Sequence, residues 1–275
     1  MTQNPLHQYF RQPKIFLKLP SLGKYNSSSS ITGDVDKMPI FGMSGMDQII
    51  VKTPDALLNG ESTVRLIQSC CPNILDGWEV TSIDIDSILV AIKIATYGNK
   101  MSIDGVCSNC NTENSYDIDL VKVLEYFNTC SFNSSVVIDD LVIKLKPLPY
   151  KLITSFSLEN FSLQKQLIQI SEIENVDKKQ ELLSKVFSEF ASLQSRVIQS
   201  SIEYIETPTS VVSEYGYIKE WVDNCDQSII SEIKNFLDKN GKIWKNPPVS
   251  APCSNCGHVD TIELELDQSS FFGNA

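Results

Sequence analysis

The sequence predicts an α+β protein with a mainly helical core, a discontinuous four-cysteine ribbon built from two β-knuckles, and a helical insertion. Three observations predict this fold class. The tetrapeptide Cys-Ser-Asn-Cys occurs at 107–110 and again at 253–256, and each copy is followed by a polar turn and an alternating segment. Apolar residues recur at three- and four-residue steps over several stretches, which is typical of amphipathic helices. Long helical patterns of this kind lie between the two tetrapeptides, and because both tetrapeptides are assigned to one ribbon, that region is predicted to be an insertion in one core.

The composition is that of a globular protein. The chain has 275 residues, of which 42% are hydrophobic and 21% charged, and these are ordinary proportions. It has no run of about 18 apolar residues, which a membrane-spanning helix needs. The N-terminus lacks the apolar segment and small-residue cleavage site of a signal peptide. We therefore expect a protein made in a cytoplasm-like compartment, without a membrane partner.

The charge is unevenly distributed. The net charge is −11, from 23 Lys and Arg against 34 Asp and Glu, but residues 1–52 carry six basic and three acidic side chains. Together with a serine run and several glycines, this predicts an extended N-terminal arm over 1–52, with at most short strands around Ile15–Leu19 and Met38–Phe41. The arm is either a loosely packed lead-in or a segment that becomes ordered against a neighbouring subunit.

Residues 53–128 and 246–275 are predicted to form the helical core that carries the ribbon. Capping residues, apolar spacing and terminal glycines define its elements. In order, these are a short helix from Thr53-Pro54 to Asn59-Gly60, a second from about Glu61 to Ser69, a third from Ser82–Asp84 to Tyr97-Gly98, and a strand at Met101–Val106.

Residues 129–245 are predicted to form the insertion. It begins with a hairpin whose strands, Val136–Ile138 and Leu141–Leu145, are joined by Asp139-Asp140. The predicted helices are Leu152–Ile173, Lys178–Ile205, and a third around Ser228–Lys239 that ends at Asn240-Gly241.

The two tetrapeptides are the strongest chemical signal. A Cys-x-x-Cys at the tip of a strand–turn–strand unit directs two sulfurs at one point, and two such tips supply the four thiolates that a structural Zn²⁺ takes. The sequence therefore predicts one structural Zn²⁺ per chain, bound by Cys107, Cys110, Cys253 and Cys256. A thioredoxin-like motif would open a helix, whereas both copies precede strands, and disulfides are disfavoured in a reducing compartment.

The remaining cysteines and His258 are expected to play lesser parts. His258 follows Cys256 by two positions and is an alternative ligand, but with four cysteines available we expect an exposed turn residue. Of the adjacent pair Cys70-Cys71, one is expected in the core and the other at an interface. Cys130 and Cys225 are expected to be small buried hydrophobes.

The sequence contains no recognisable catalytic or cofactor-binding constellation. Only His7 and His258 are available as imidazole bases, and no glycine-rich phosphate-binding motif occurs. Neighbouring acids are expected to cap helices, form turns or face solvent; these are Asp84/Asp86, Asp139/Asp140 and Glu172/Glu174. We therefore predict that the chain is not an enzyme.

Three stretches of the chain resemble a known family. They are Lys37–Phe41 with Asp47, Val51–Gly60 and Leu66–Pro72; then Asp84–Gly98 leading into Cys107-x-x-Cys110; and finally Cys253-x-x-Cys256 through Leu266–Gly273. In these residues the chain resembles the T4-type bacteriophage baseplate protein family, whose T4 member is tied to assembly of the central hub. The resemblance covers about residues 15–125 and 246–275 and does not include the insertion.

The resemblance implies a structural or assembly subunit of a myovirus tail baseplate, assembled in the host cytoplasm and located in the virion tail. Its partners would be other baseplate, hub and tail proteins, contacted through the arm and the insertion. Phe271-Phe272 would either pack back on the ribbon or anchor on a neighbour. Whether such a protein stays in the mature virion or acts only during assembly is left open.

The main alternative is a zinc-ribbon nucleic-acid-binding or transcription-associated module. Ribbons of that class usually carry basic and aromatic residues around their knuckles. Here the surrounding residues are acidic, namely Asp104, Asp117, Asp119, Asp260, Glu263 and Glu265. Because acidic side chains repel phosphate, we expect no nucleic acid among the partners.

Overall fold

The computed structural model describes residues 5–52, 59–262 and 271–272. The chain divides into two compact units, Met1–Ser131 with Trp244–Ala275, and Phe132–Ile243. The first unit is thus built from both ends of the sequence, and the second from the residues between them. No helix in the described part of the chain has the length and apolar character needed to cross a membrane.

In its described residues, the first unit combines helices with three small antiparallel sheets, so the α+β class holds for this unit. The pairs are β1 with β2, β3 with β4, and β9 with β10. The bounds are β1 Pro13–Leu17, β2 Met38–Phe41, α1 Gly45–Ile50, α2 Glu61–Cys70, α3 Ser82–Tyr97, β3 Lys100–Val106, β4 Glu113–Asp119, α4 Leu120–Thr129, β9 Val249–Pro252 and β10 Val259–Ile262. The short helix expected from Thr53-Pro54 onward lies largely outside the described residues.

Helix α3 is the apolar centre of this unit. Ile88, Val90, Ala91 and Ile92, which together span little more than one turn, are fully buried, and this burial removes apolar area from water on several sides of the helix. The helix follows Thr81 and stops at Gly98, whose φ of 95° is readily accessible only to glycine. The predicted start and end of this helix are therefore confirmed.

The N-terminal stretch packs on the same core. Strands β1 and β2 pair with each other and contact α3. Leu17, Leu19, Met38 and Ile40 are all buried. Just after β2, a side chain at Gly42 would lie 2.9 Å from the carbonyl oxygen of Ala95, so glycine permits this close approach to α3.

Arg11 ties the start of the chain to α1 and α2. Its guanidinium donates to the carbonyl oxygen of Gly42 at 2.9 Å, to a carboxylate oxygen of Asp47 at 3.1 Å, and to the carbonyl oxygen of Ser69 at 2.7 Å. Burial alone would raise the pKa of Asp47, but hydrogen bonds from Ser44 and Ser69 and the Arg11 charge lower it below 3.8. The carboxylate is therefore charged and paired in the folded protein.

We expect Arg11→Ala to lower the free energy of unfolding by about 1–2 kcal/mol, because a nearly buried carboxylate loses its cation. Since the folded pKa of Asp47 is lowered, this stabilisation is present above the unfolded pKa and is lost as the pH falls through the folded value. The difference between wild type and variant should therefore shrink on acidification. Urea unfolding at several pH values measures it. Lys18→Ala, which removes an exposed ion pair with Asp36, is the control and should cost less; equal losses would contradict the assigned role of Arg11.

The pair Phe271-Phe272 is buried in the first unit. Each side chain is 2% exposed, and the rings meet edge to face with centroids 4.9 Å apart. Lys93 of α3 donates from Nζ to the carbonyl oxygen of Phe271, and burial lowers the pKa of this lysine. The described contacts of Phe271 are thus with α3 of the same unit, whereas the ribbon or a neighbouring subunit was expected.

The second unit contains a four-stranded antiparallel sheet in the order β5-β6-β7-β8, together with four helices. The bounds are β5 Ser135–Ile138, β6 Leu141–Leu145, α5 Tyr150–Ser171, α6 Val176–Ser201, β7 Ile202–Glu206, β8 Val211–Val212, α7 Tyr215–Asn224 and α8 Gln227–Ile243. The predicted hairpin is confirmed as β5 and β6, and Asp139 at its turn has a φ of 50°.

Two apolar clusters stabilise this unit. One lies on the sheet and includes Ile143, Ile202 and Ile205 from the strands, with Ile218 of α7 and Ile233 of α8. The other lies between the long helices α5 and α6, where its buried members are Leu163, Ile170, Val186 and Leu193. The helical periodicity of α5 and α6 therefore reflects their packing on each other.

Two predictions in this region are corrected. The helix expected to run to Ile205 ends at Ser201, because Ile202–Glu206 instead pairs with β6 as strand β7. Helix α8 continues through Asn240-Gly241 to Ile243, since the Asn240 side chain exchanges hydrogen bonds of 3.1 and 2.8 Å with the backbone of Asn133. Helix α7 was not anticipated.

Candidate metal centre

The two tetrapeptides form separate turns of the same type. In the first knuckle, between β3 and β4, the N–H of Cys107 donates to the carbonyl oxygen of Thr112 at 2.9 Å. In the second, between β9 and β10, the N–H of Cys253 donates to the carbonyl oxygen of His258 at 2.7 Å. A left-handed residue closes each turn, Asn111 with a φ of 55° and Gly257 with a φ of 71°. This shared backbone directs both cysteines of a knuckle to one side.

The two turns face each other and bring four sulfurs together. The Sγ atoms of Cys107, Cys110, Cys253 and Cys256 all lie within 4.8 Å of one another. The separation is 3.7 Å between Cys107 and Cys256 and 3.6 Å between Cys110 and Cys253. The first and third of these cysteines are buried, Cys110 is half-buried and Cys256 is exposed. Four sulfurs in such an arrangement are compatible with binding one metal ion.

Each knuckle is joined to the other by a serine. The Ser108 hydroxyl donates to Oδ1 of Asp260 at 2.6 Å, and the Ser254 hydroxyl donates to Oδ1 of Asn114 at 2.7 Å. Asn114 stands four residues after Cys110, and Asp260 stands four residues after Cys256. The repeat therefore extends over eight residues. The contacts are reciprocal, because the serine of each knuckle donates to the last residue of the other knuckle.

Asparagine amides donate to the sulfurs across the same boundary. Asn109 Nδ2 lies 3.6 Å from the sulfur of Cys256, and Asn255 Nδ2 lies 3.7 Å from that of Cys110. Asn114 Nδ2 lies 3.4 Å from the sulfur of Cys253. Each of these bonds runs from one knuckle to the other.

The protein surroundings alone favour a mixture of thiols and thiolates. Hydrogen bonds with the side chain and backbone of Thr112 lower the pKa of Cys110 to about 6, and backbone N–H groups of Cys256 and Asn255 lower the pKa of Cys253. Burial raises the pKa of Cys107 to about 12. A bound cation would favour the thiolate form at all four positions, because the thiolate is the metal ligand.

The other predicted candidates lie elsewhere or outside the cluster. His258 is not among the four clustered residues, and its Nε2 lies 3.7 Å from Oδ1 of Asp260. Cys70 and Cys71 are both fully buried, so the expectation that one of them lies at an interface is wrong for this structure. Cys130 and Cys225 are half-buried.

The residues that surround the sulfurs carried no predicted role in the metal centre. These are Ser108, Asn109, Asn114, Ser254, Asn255 and Asp260. A signal was present, because the serine and asparagine of each tetrapeptide are identical and a polar residue recurs four positions after each second cysteine.

The second unit has a polar pocket of about 620 Å³ lined by residues of α6, α7 and α8. Its charged groups are paired. Lys219 Nζ lies 2.6 Å from Asp223, and Arg196 bonds to Glu159. Such pairs are typical of structural ion pairs, so the pocket gives no specific indication of catalysis.

The comparisons with known proteins identify the family. No curated protein and no solved structure matches the chain. A profile of the family described as T4 bacteriophage base plate protein matches residues 12–273, nearly the whole chain. The match therefore also includes the insertion, which the sequence resemblance did not cover. On this match, the chain belongs to the T4 bacteriophage base plate protein family.

Proposed function

We propose that this chain is a structural or assembly subunit in the central hub region of a myovirus tail baseplate, and that one structural Zn²⁺ joins the two terminal parts of its first unit. The observation that carries the proposal is the family match over residues 12–273. The clustered cysteines support the metal. The protein then acts through protein–protein contacts and not through catalysis.

The donor set supports zinc. A tetrahedral Zn²⁺ with Zn–S bonds of about 2.3 Å holds its sulfurs about 3.8 Å apart. The cross-knuckle separations of 3.7 and 3.6 Å agree with this value. Thiolates select Zn²⁺ over Mg²⁺ and Ca²⁺, which prefer oxygen ligands. Four protein ligands also close the coordination sphere, as in structural sites.

Exposed apolar side chains on the second unit support a role in contacts. Phe161 and Ile168 of α5 are 63% and 66% exposed, and Phe187 of α6 is 59% exposed. Phe161 and Ile168 are seven residues apart on α5 and therefore lie about two turns apart on one side of the helix, and contiguous exposed apolar side chains mark sites of protein association. We expect the insertion to contact other baseplate, hub or tail proteins.

Metal content tests the site. Elemental analysis of the purified protein should give one zinc per chain, and Cys107→Ser and Cys253→Ser should each reduce it severely. Cys225→Ser, which removes a half-buried cysteine remote in sequence from both knuckles, should retain the full amount. Stoichiometric zinc that survives both ligand substitutions would refute a shared four-thiolate site.

Baseplate assembly tests the function. Phage lacking this chain should fail to complete baseplates, and complementation with Cys107→Ser should be defective while Cys225→Ser restores assembly. Mass spectrometry of purified virions then separates a virion component from an assembly factor. Normal baseplates in the absence of the chain would overturn the proposal.

The alternative of a nucleic-acid-binding ribbon gains no support from the charge of the described surface. Asp104 and Asp117 lie on the β3/β4 hairpin and Asp260 lies in the second knuckle. Because these carboxylates repel phosphate, we expect no salt-dependent DNA binding at physiological ionic strength. A salt-dependent shift with duplex DNA would favour the alternative.

A further inference from the structure

The amide groups around the four sulfurs are arranged to act on the metal centre. Asn109, Asn114 and Asn255 each donate from Nδ2 to a sulfur that belongs to the opposite knuckle. A donor on a metal-bound thiolate stabilises the negative charge on sulfur without competing for the metal. The same three bonds also hold the knuckles face to face, since each has its two ends on different knuckles.

We propose that Asn109, Asn114 and Asn255 are positioning residues that increase the affinity of the four-cysteine centre for Zn²⁺ and slow its release. This inference rests on the proposed zinc site and goes beyond it, because it assigns a role to residues that do not touch the metal. Loss of such outer hydrogen bonds typically weakens metal affinity by 10- to 100-fold.

One of the differences between the two knuckles, at Asn114 and Asp260, supports the proposal. Asn114 and Asp260 correspond, since Oδ1 of each accepts from the serine of the other knuckle. In the first knuckle, Nδ2 of Asn114 donates to the carbonyl oxygen of Thr112 at 2.9 Å as well as to the sulfur of Cys253. The corresponding atom of Asp260 is Oδ2, which is not a donor when the carboxylate is ionised.

Oδ2 of Asp260 is buried and accepts from no nitrogen or oxygen donor among the residues that the structure describes, and the side chains of Ser108 and Cys107 both lower the pKa of this carboxyl by hydrogen bonding. This is the result expected when a carboxylate occupies a position whose counterpart uses an amide donor. The fourth sulfur, that of Cys107, therefore lacks the amide bond that Asn114 gives to Cys253. Asp260→Asn would supply an amide at this position, and Asn114→Asp would remove one from the other knuckle.

Competition between the protein and a chromogenic chelator for Zn²⁺ tests the proposal. We expect Asn114→Asp, Asn109→Ala and Asn255→Ala each to weaken Zn²⁺ binding by about tenfold or more, and Asp260→Asn to strengthen it. Asp117→Asn is the matched control for Asp260→Asn, because it removes the same negative charge. Asp117 lies on strand β4 and accepts a hydrogen bond from Ser102. The control should bind Zn²⁺ as wild type does.

Co²⁺ absorption provides a second readout that a purely structural role would not change. In the Co²⁺-loaded protein, the sulfur-to-cobalt charge-transfer band should move to lower energy in Asn114→Asp and to higher energy in Asp260→Asn, since amide donors stabilise the sulfur electrons. If wild type binds no stoichiometric Zn²⁺, the proposed zinc site fails. If wild type binds one Zn²⁺ but the asparagine variants and Asp260→Asn match it in affinity and band position, the positioning role is overturned and the site stands.

Discussion

Replacing Cys107 and Cys253 together by serine should abolish metal binding and detach the β9/β10 hairpin from the β3/β4 hairpin. Each knuckle loses one of its two thiolates, so the remaining pair cannot form a closed four-sulfur site. Structural Zn²⁺ contributes apparent binding energies of about 10–16 kcal/mol in small zinc domains, whereas whole domains are stable by about 5–15 kcal/mol. Loss of the metal is therefore expected to remove most of the cooperative stability of the ribbon.

Hydrogen exchange and thermal unfolding measure this effect. In the double variant, amides of residues 100–119 and 249–262 should exchange as rapidly as those of the chelator-treated wild type, and the thermal transition of the first unit should fall to the same temperature. A double substitution of Cys130 and Cys225, which are both half-buried outside the cluster, is the matched control. Protection of both hairpins in the Cys107/Cys253 variant would contradict a metal-dependent ribbon.

Asp84→Ala should cause the second large loss, about 3–5 kcal/mol in the free energy of unfolding. Asp84 on the first turn of α3 is fully buried. Its carboxylate accepts from the N–H and the hydroxyl of Ser21, at 2.9 and 2.5 Å, and from the amide of Asn26 at 3.0 Å. Removing it leaves the N–H and the hydroxyl of buried Ser21 without their acceptor, which is costly.

Denaturant unfolding of the variant measures this loss. Asp119→Ala is the control, because this carboxylate caps α4 by accepting from the N–H of Val121 at 3.0 Å, and an exposed cap is worth about 1 kcal/mol. Burial raises the pKa of Asp84 above 3.8 despite its hydrogen bonds. At pH values between the ordinary pKa of 3.8 and the raised pKa of Asp84 in the folded protein, the folded chain binds more protons than the unfolded chain. Wild-type stability therefore falls as the pH rises through this range. Asp84→Ala should lack this slope; a loss no greater than that of Asp119→Ala would argue against the assigned role.

The sequence was sufficient to predict those elements whose structure depends on residues close to each other in the chain. Helix α3 was predictable because an apolar repeat lies between a capping segment and Gly98. The hairpin at Ser135–Leu145 was predictable from two β-branched runs around Asp139-Asp140. The four clustered cysteines were predictable because each copy of the tetrapeptide directs its two sulfurs to one side of the turn.

Sequence patterns gave wrong or missing predictions where the structure depends on contacts with residues distant in the chain. Ile202 and Ile205 continue the helical spacing of α6, and only pairing with β6 makes them part of a strand. Asn240-Gly241 has the form of a helix end, but Asn240 is buried against the backbone of Asn133, more than one hundred residues away. The contacts of Asn109, Asn114 and Asn255 with the sulfurs likewise depend on how the two knuckles meet, which neither copy reveals alone.

The discontinuous first unit has a consequence for the order of events on the ribosome. Cys110 and Cys253 are 143 positions apart. At synthesis rates of about 5–20 residues per second, the first knuckle emerges roughly 7 to 29 seconds before the second. During that interval a metal ion has only half of its ligands, while the second unit, encoded wholly between the knuckles, has time to complete its sheet. The residues of the second knuckle therefore complete a part of the protein that was begun before the second unit was translated.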